Sequence, residues 1–173
     1  MLSHHTRFAH TRPLNWLVLL VCLSSMVLGS NCGRRAGKYE IVSVPIRSVA
    51  RTLQASRKGN NFELPVLCVY DSDGALVYNG TNAPDNNRTI RSLPAGLARL
   101  RPLTGGAPLR DLFEAIPELR VNGPRAPERG HPLILSVELV NCGACVEQAK
   151  ALSASQTRLL RQGFDVVVIS VTL

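Results

Sequence analysis

The chain has 173 residues, of which 45% are hydrophobic, 18% charged and 5% aromatic, and its formal net charge is +8. This composition excludes a disordered chain and leaves, once an export segment is set aside, one domain of roughly 140 residues with a core of Val, Leu, Ile and Ala. The basic excess is mostly arginine, scattered from Arg34 to Arg161 without aromatic interleaving, which suits a surface near anionic membrane and argues against a nucleic-acid partner.

Residues 1–30 read as a signal peptide or N-terminal membrane anchor. Arg7 and Arg12 precede Trp16 to Gly29, a run of fourteen residues without charge. A comfortable membrane span takes about 20 residues, so the run fits the apolar region of a secretory signal, with cleavage after Gly29 or Ser30. Cys32, just past it, resembles the lipidated cysteine of a bacterial lipoprotein box. Gly29 and Asn31 depart from the Leu-like and small residues that such a box carries. A spare exposed thiol is the alternative. Each of these readings places the mature protein outside the cytosol, periplasmic or bound to the cell-envelope membrane, where disulfides persist.

Residues 31–38 form a linker, and 39–173 the domain. Tyr39 to Val44 alternates and is β-branched, the pattern of a strand. Ile46 to Lys58 carries apolar residues at 46, 49, 50 and 53, the period of a helix ended by Gly59-Asn60-Asn61. Val66 to Tyr70 is a continuous apolar run, expected to be a strand buried on both faces. Asp71 to Gly74 is a turn, and Ala75 to Tyr78 the returning strand of a hairpin. Asn79 to Asn87 reads as a polar loop. It holds Asn-x-Thr sequons at Asn79 and Asn87, which mean glycosylation only in a eukaryotic secretory pathway.

Residues 88–120 look helical but broken by Pro94, Pro102, Pro108 and Pro117, with Leu109 to Ile116 the best helical piece. Val121 to Pro132 is a connector. Leu133 to Val140 is a strand. Val146 to Arg161 is an amphipathic helix, with Val146, Ala149, Leu152, Leu159 and Leu160 available for burial and Gly163 as its stop. Phe164 to Val171 is a buried strand.

Between that last helix and the strand before it lies Cys142-Gly143-Ala144-Cys145. A cysteine at a helix start sits beside unpaired N–H groups and the positive end of the helix dipole, which favours thiolate. A second cysteine one turn on can attack the mixed disulfide that the first one forms. Cys142 is the expected nucleophile and Cys145 the resolving thiol. A structural disulfide is the competing reading. Zinc needs four ligands. No second Cys-x-x-Cys exists, and His131 is the only histidine beyond the leader, so no metal site is expected. Cys68 reads as a buried inert thiol, with a third redox cysteine as the alternative. His131 is assigned no role.

Strand, Cys-x-x-Cys, helix and strand over residues 133–171 resemble the first half of the thioredoxin-like fold. The resemblance covers about 40 residues. It departs where thioredoxin carries Trp (here Asn141) and where it carries Gly-Pro between the cysteines (here Gly-Ala). The family's buried acid falls at Ser136. Glu138, two residues on, is carried over as a proton acceptor for Cys145, against the alternative of a solvent-facing acid. The family's fold continues with a helix, a hairpin preceded by a cis-proline, and a final helix, and residues 39–100 resemble those parts. Leu64-Pro65 then stands for the cis-proline loop that binds substrate backbone, and 101–132 connects the two halves.

The resemblance implies an α/β three-layer sandwich with a mixed sheet and permuted halves. The alternatives are a separate N-terminal βαββ module, or two chains completing each other. The implied activity is an exported thiol–disulfide oxidoreductase acting on protein disulfides. It needs no cofactor beyond the cysteine pair and an envelope redox partner. The alternative function is a non-enzymatic envelope binding or assembly protein whose cysteines form a structural disulfide.

Overall fold

The structure is a computed structural model, and it describes residues 36–55, 63–116, 118–119 and 130–172. The expectations for the leader, for Cys32, for the end of the first helix and for most of the connector fall outside those residues. The described residues all belong to one unit, Arg35–Leu173.

In chain order the elements are β1 (Tyr39–Pro45), α1 (Ile46–Ala55), β2 (Val66–Tyr70), β3 (Leu76–Gly80), α2 (Ala83–Ser92), a short 3-10 turn at Leu97–Arg99, α3 (Leu109–Ala115), β4 (Leu133–Leu139), α4 (Gly143–Arg161) and β5 (Asp165–Thr172). The strands form one mixed sheet in the order β1-β5-β4-β2-β3. β5 runs parallel to both β1 and β4, and β2 is antiparallel to β4 and β3. The separate-module alternative is therefore corrected: β1 to β3 and β4 to β5 share a sheet, joined where Val66 pairs with Val137. The expected strands over 39–44 and 164–171 lie side by side as β1 and β5.

The period of two along β4 sends its residues into two layers. Leu133, Leu135 and Val137 pack with Val49 of α1 and with Leu112 and Phe113 of α3. Ile134 packs on the other side with Ile90 of α2 and with Leu152 and Leu159 of α4. The result is an α/β sandwich with helices on both faces. Every residue of β2 is buried, which explains its unbroken apolar run. In the β2–β3 turn, the Asp71 carboxylate accepts from the N–H groups of Asp73 and Ala75 at 3.0 and 2.9 Å, and Gly74 takes the left-handed φ of 80° that the turn requires.

Residues 79–87 are not a loop. β3 runs to Gly80, and α2 begins at Ala83 with Asn82 as N-cap, its side chain accepting from Asp85 N–H, and with proline in the first turn. The sequence Asn82-Ala-Pro-Asp85 is a helix start in full, hidden by its polarity and by the sequons on either side of it. The helical stretch expected from residue 88 is broken first at Ser92, because Leu93 before Pro94 is held extended at ψ 150°.

α4 likewise begins three residues earlier than its apolar period indicates. Its buried face is Cys145, Gln148, Leu152, Ser155 and Leu159. Val146 is 47% exposed, and Ala149 and Leu160 are half-buried. Two polar residues lie in the buried stripe, so hydrophobicity alone set the wrong phase at the first turn.

Candidate functional site

The site is built where β4 hands over to α4. Leu139 ends the strand, Val140 and Asn141 turn, and Cys142 caps the helix. Asn141 has φ 68°, a left-handed conformation that asparagine tolerates better than other residues with a Cβ. The backbone gives the residue a local reason. Asn141→Gly is expected to keep stability within about 1 kcal/mol of the parent, and Asn141→Val to lose about 1–2 kcal/mol or more. Urea unfolding of the two variants checks this, and equal losses would remove the backbone argument.

Cys142 and Cys145 form a disulfide, with a Cα–Cα distance of 5.1 Å. The Cys142 sulfur accepts from Cys145 N–H at 3.2 Å, and the Cys142 carbonyl accepts from Val146 N–H at 3.0 Å. The helix is 19 residues long, has no acid in its first turn, and carries Arg158 and Arg161 in its last. No nearby helix carboxylate offsets the positive end of the dipole at Cys142. The two cysteines differ in access: Cys142 is half-buried, and Cys145 is 2% exposed. Val140 and Val146 flank the pair as exposed apolar side chains.

Three further expected residues, Leu64, Pro65 and Glu138, come to the same end of the sheet. The Leu64–Pro65 bond is cis. The antiparallel register sets Val66 opposite Val137, so the loop before β2 enters the sheet beside the C-terminal end of β4, three to four residues from Cys142. Pro65 is buried, and Leu64 packs with Leu139 against one hydrophobic cluster. Glu138 is on the same face of β4 as Ser136, because the strand is regular. It is half-buried. Burial pushes its carboxyl above the ordinary range, and a hydrogen bond from Ser136 opposes that shift. The Glu138 charge and, more strongly, burial raise the Tyr39 phenol.

Beneath the first turns of α4 runs a chain of buried polar groups. Gln148 donates through Nε2 to the Val66 carbonyl at 3.1 Å and to Ser136 Oγ at 2.8 Å. Asn86 Nδ2 donates to Gln148 Oε1 at 2.6 Å, and Tyr78 donates to Asn86 Oδ1 at 2.8 Å. Ser136 in turn donates to Glu138 Oε1 at 2.6 Å. Gly80 makes room for this, since a Cβ there would collide with both Asn86 and Tyr78. Asn86, Ser136 and Gln148 are fully buried. Sequence reasoning named only the Ser136 end. The usable signal was a polar residue, Gln148, one turn after Cys145 in the buried phase of a helix.

The remaining candidates lie elsewhere. Cys68 is buried on the α1/α3 side of the sheet, with its sulfur 3.8 Å from Asn79 Oδ1. His131 sits before β4, at the opposite end from Cys142, 3.8 Å from Asp165. Among the described residues, no group of three or more His, Cys, Asp and Glu side chains is placed to hold a metal ion, and no helix is long and apolar enough to cross a membrane. Compared with known proteins, the chain matches no family model, no curated protein and no solved structure.

Proposed function

We propose that this chain is an exported thiol–disulfide oxidoreductase with a permuted thioredoxin-like fold, acting on protein disulfides through Cys142 and Cys145. The observation that carries the reading is the asymmetry of the pair. An accessible cysteine caps a long helix whose first turn lacks acids, and its partner is buried one turn below. A thiolate at the accessible position attacks first, and the buried thiol resolves. Fold order supports the reading as well. β4, Cys-x-x-Cys, α4 and β5 follow the family's first half. α1, a cis-proline, the β2–β3 hairpin and α2 precede them here and follow them in the family. Leu64-Pro65 enters the sheet at the end of β4 that leads to the cysteines, which suits a substrate loop. Its partners are protein thiols or disulfides and an envelope redox protein, and its place of action is the periplasm or the envelope membrane.

The deciding measurement is the reduction potential of the full chain, obtained by equilibration in glutathione buffers and counting of alkylated thiols. A value between about −270 and −120 mV is expected, the range of catalytic pairs. A value below about −300 mV belongs to a structural disulfide, and leaves the non-enzymatic scaffold as the better reading.

A further inference from the structure

The polar chain under α4 has a direction, and one atom sets it. The Val66 carbonyl oxygen only accepts, so the Gln148 group facing it at 3.1 Å is the amide nitrogen. Gln148 Oε1 therefore faces Asn86 and takes its N–H. The second Nε2 proton goes to Ser136 Oγ, which turns the Ser136 hydroxyl proton toward Glu138. From Tyr78 onward, every donor points the same way, and the chain ends on a carboxylate oxygen. Aligned hydrogen bonds polarise one another, and at a half-buried acid they favour the accepting form.

The same geometry places that acid. β4 runs toward the cysteines, and α4 runs back over it. Gln148 stands over Ser136. From there, two residues along the strand (about 7 Å) lead to Glu138. Three residues back along the helix (about 4.5 Å) lead to Cys145, on the same buried face. Cys145 is thus carried over the Glu138 end of β4. The other groups around Glu138 do not compete. Ser170 is its neighbour in register on β5, the Tyr39 phenol is held neutral, and Lys150 and Glu147 on α4 are exposed and paired with each other at 2.9 Å.

We propose that Gln148 is a positioning residue. By holding the start of β2, Asn86 and Ser136 at once, it fixes Glu138 as the acceptor of the proton that Cys145 gives up on attacking the mixed disulfide. The inference rests on the redox reading above. In that step the Cys145 S–H proton passes to the Glu138 carboxylate, and the Cys145 sulfur bonds to Cys142 Sγ. The bond from Cys142 to the substrate sulfur breaks, and the substrate leaves as a thiolate that takes up a proton. The substrate disulfide gains two electrons, and the cysteine pair loses two. The reverse reaction uses the same atoms.

The test mixes the reduced full-length chain with the chromogenic disulfide dithiobis(nitrobenzoate). Attack by Cys142 releases one coloured thiolate, and resolution by Cys145 releases a second. In Gln148→Leu and Ser136→Ala the first release keeps its rate, while the second slows about tenfold, a part of what a positioned base supplies. Its pH midpoint rises, because a carboxylate whose Ser136 donor is lost, or is no longer held in place by Gln148, keeps its proton more tightly. Ser136→Thr, which keeps the hydroxyl, restores both. A second release in Gln148→Leu with the parent's rate and midpoint overturns the positioning role. A parent protein that never gives a second release overturns the redox reading instead. The Glu138 titration in Ser136→Ala, followed by carboxyl carbon NMR, needs no turnover. It is expected to move up by about one pH unit, and an unmoved midpoint also overturns the inference.

Discussion

Cys145→Ser is expected to capture a disulfide substrate and not release it, whereas Cys142→Ser captures nothing. Cys142 is the half-buried member of the pair and Cys145 is buried, so an incoming protein disulfide meets Cys142 first. The thiolate there is favoured by the start of α4, where its sulfur already accepts the Cys145 N–H. With Cys145 replaced, the mixed disulfide has no internal thiol to break it. It should accumulate as a stable, reductant-sensitive adduct with a model peptide disulfide, visible by mass. With Cys142 replaced, exchange should fall to the uncatalysed rate, because the remaining thiol is shielded. Equal trapping by both variants would contradict the assigned order of attack, and trapping by neither would contradict the proposed chemistry.

The second large effect concerns the helix that carries the site. Leu152 is 1% exposed and packs with Leu67, Val69, Ile134 and Ile90 between α4, the sheet and α2. Leu152→Ala removes three carbons from a region where both helices and the sheet meet, and a close-packed interior relaxes only partly around the loss. A cost of about 2–5 kcal/mol is expected. Against a total stability of about 5–15 kcal/mol, that is a severe change. Val146→Ala, one residue after Cys145 but 47% exposed, is expected to stay within about 0.5 kcal/mol. Denaturant unfolding of the two variants side by side tests the burial phase of α4. If Val146→Ala were the costlier change, the helix would be rotated from the orientation described.

The parts of this fold that were legible in the sequence are those in which one local rule acts alone. β2 is readable because a strand in the middle of a covered sheet needs apolar residues on both faces, and Val66 to Tyr70 supply them. The Cys142 helix start is readable from the turn before it and the amphipathic stretch after it. α2 was missed because its residues are nearly all polar: it buries only Ala83, Asn86 and Ile90, so no apolar period marks it, and its cap is the sole local cue. The phase of α4 was misjudged because Gln148 and Ser155 occupy buried positions usually filled by apolar residues. Gln148 is tolerated there only because partners from β2, β4 and α2 satisfy its amide. Those partners lie up to 82 residues away along the chain. A local pattern holds no trace of them.

The cysteines are only three residues apart in sequence. By contrast, Lys38 and Asp165, hydrogen-bonded at the start of β1 and β5, are 127 residues apart. A covalent link stabilises a fold largely by denying the unfolded chain its freedom, and that denial grows with the loop it closes. A link across β1 and β5 would withhold about 4–5 kcal/mol of chain entropy, while the link between Cys142 and Cys145 withholds about 2 kcal/mol. The sheet is held by its layers and not by this bond. Opening the Cys142–Cys145 bond is therefore expected to leave most of the fold's stability in place.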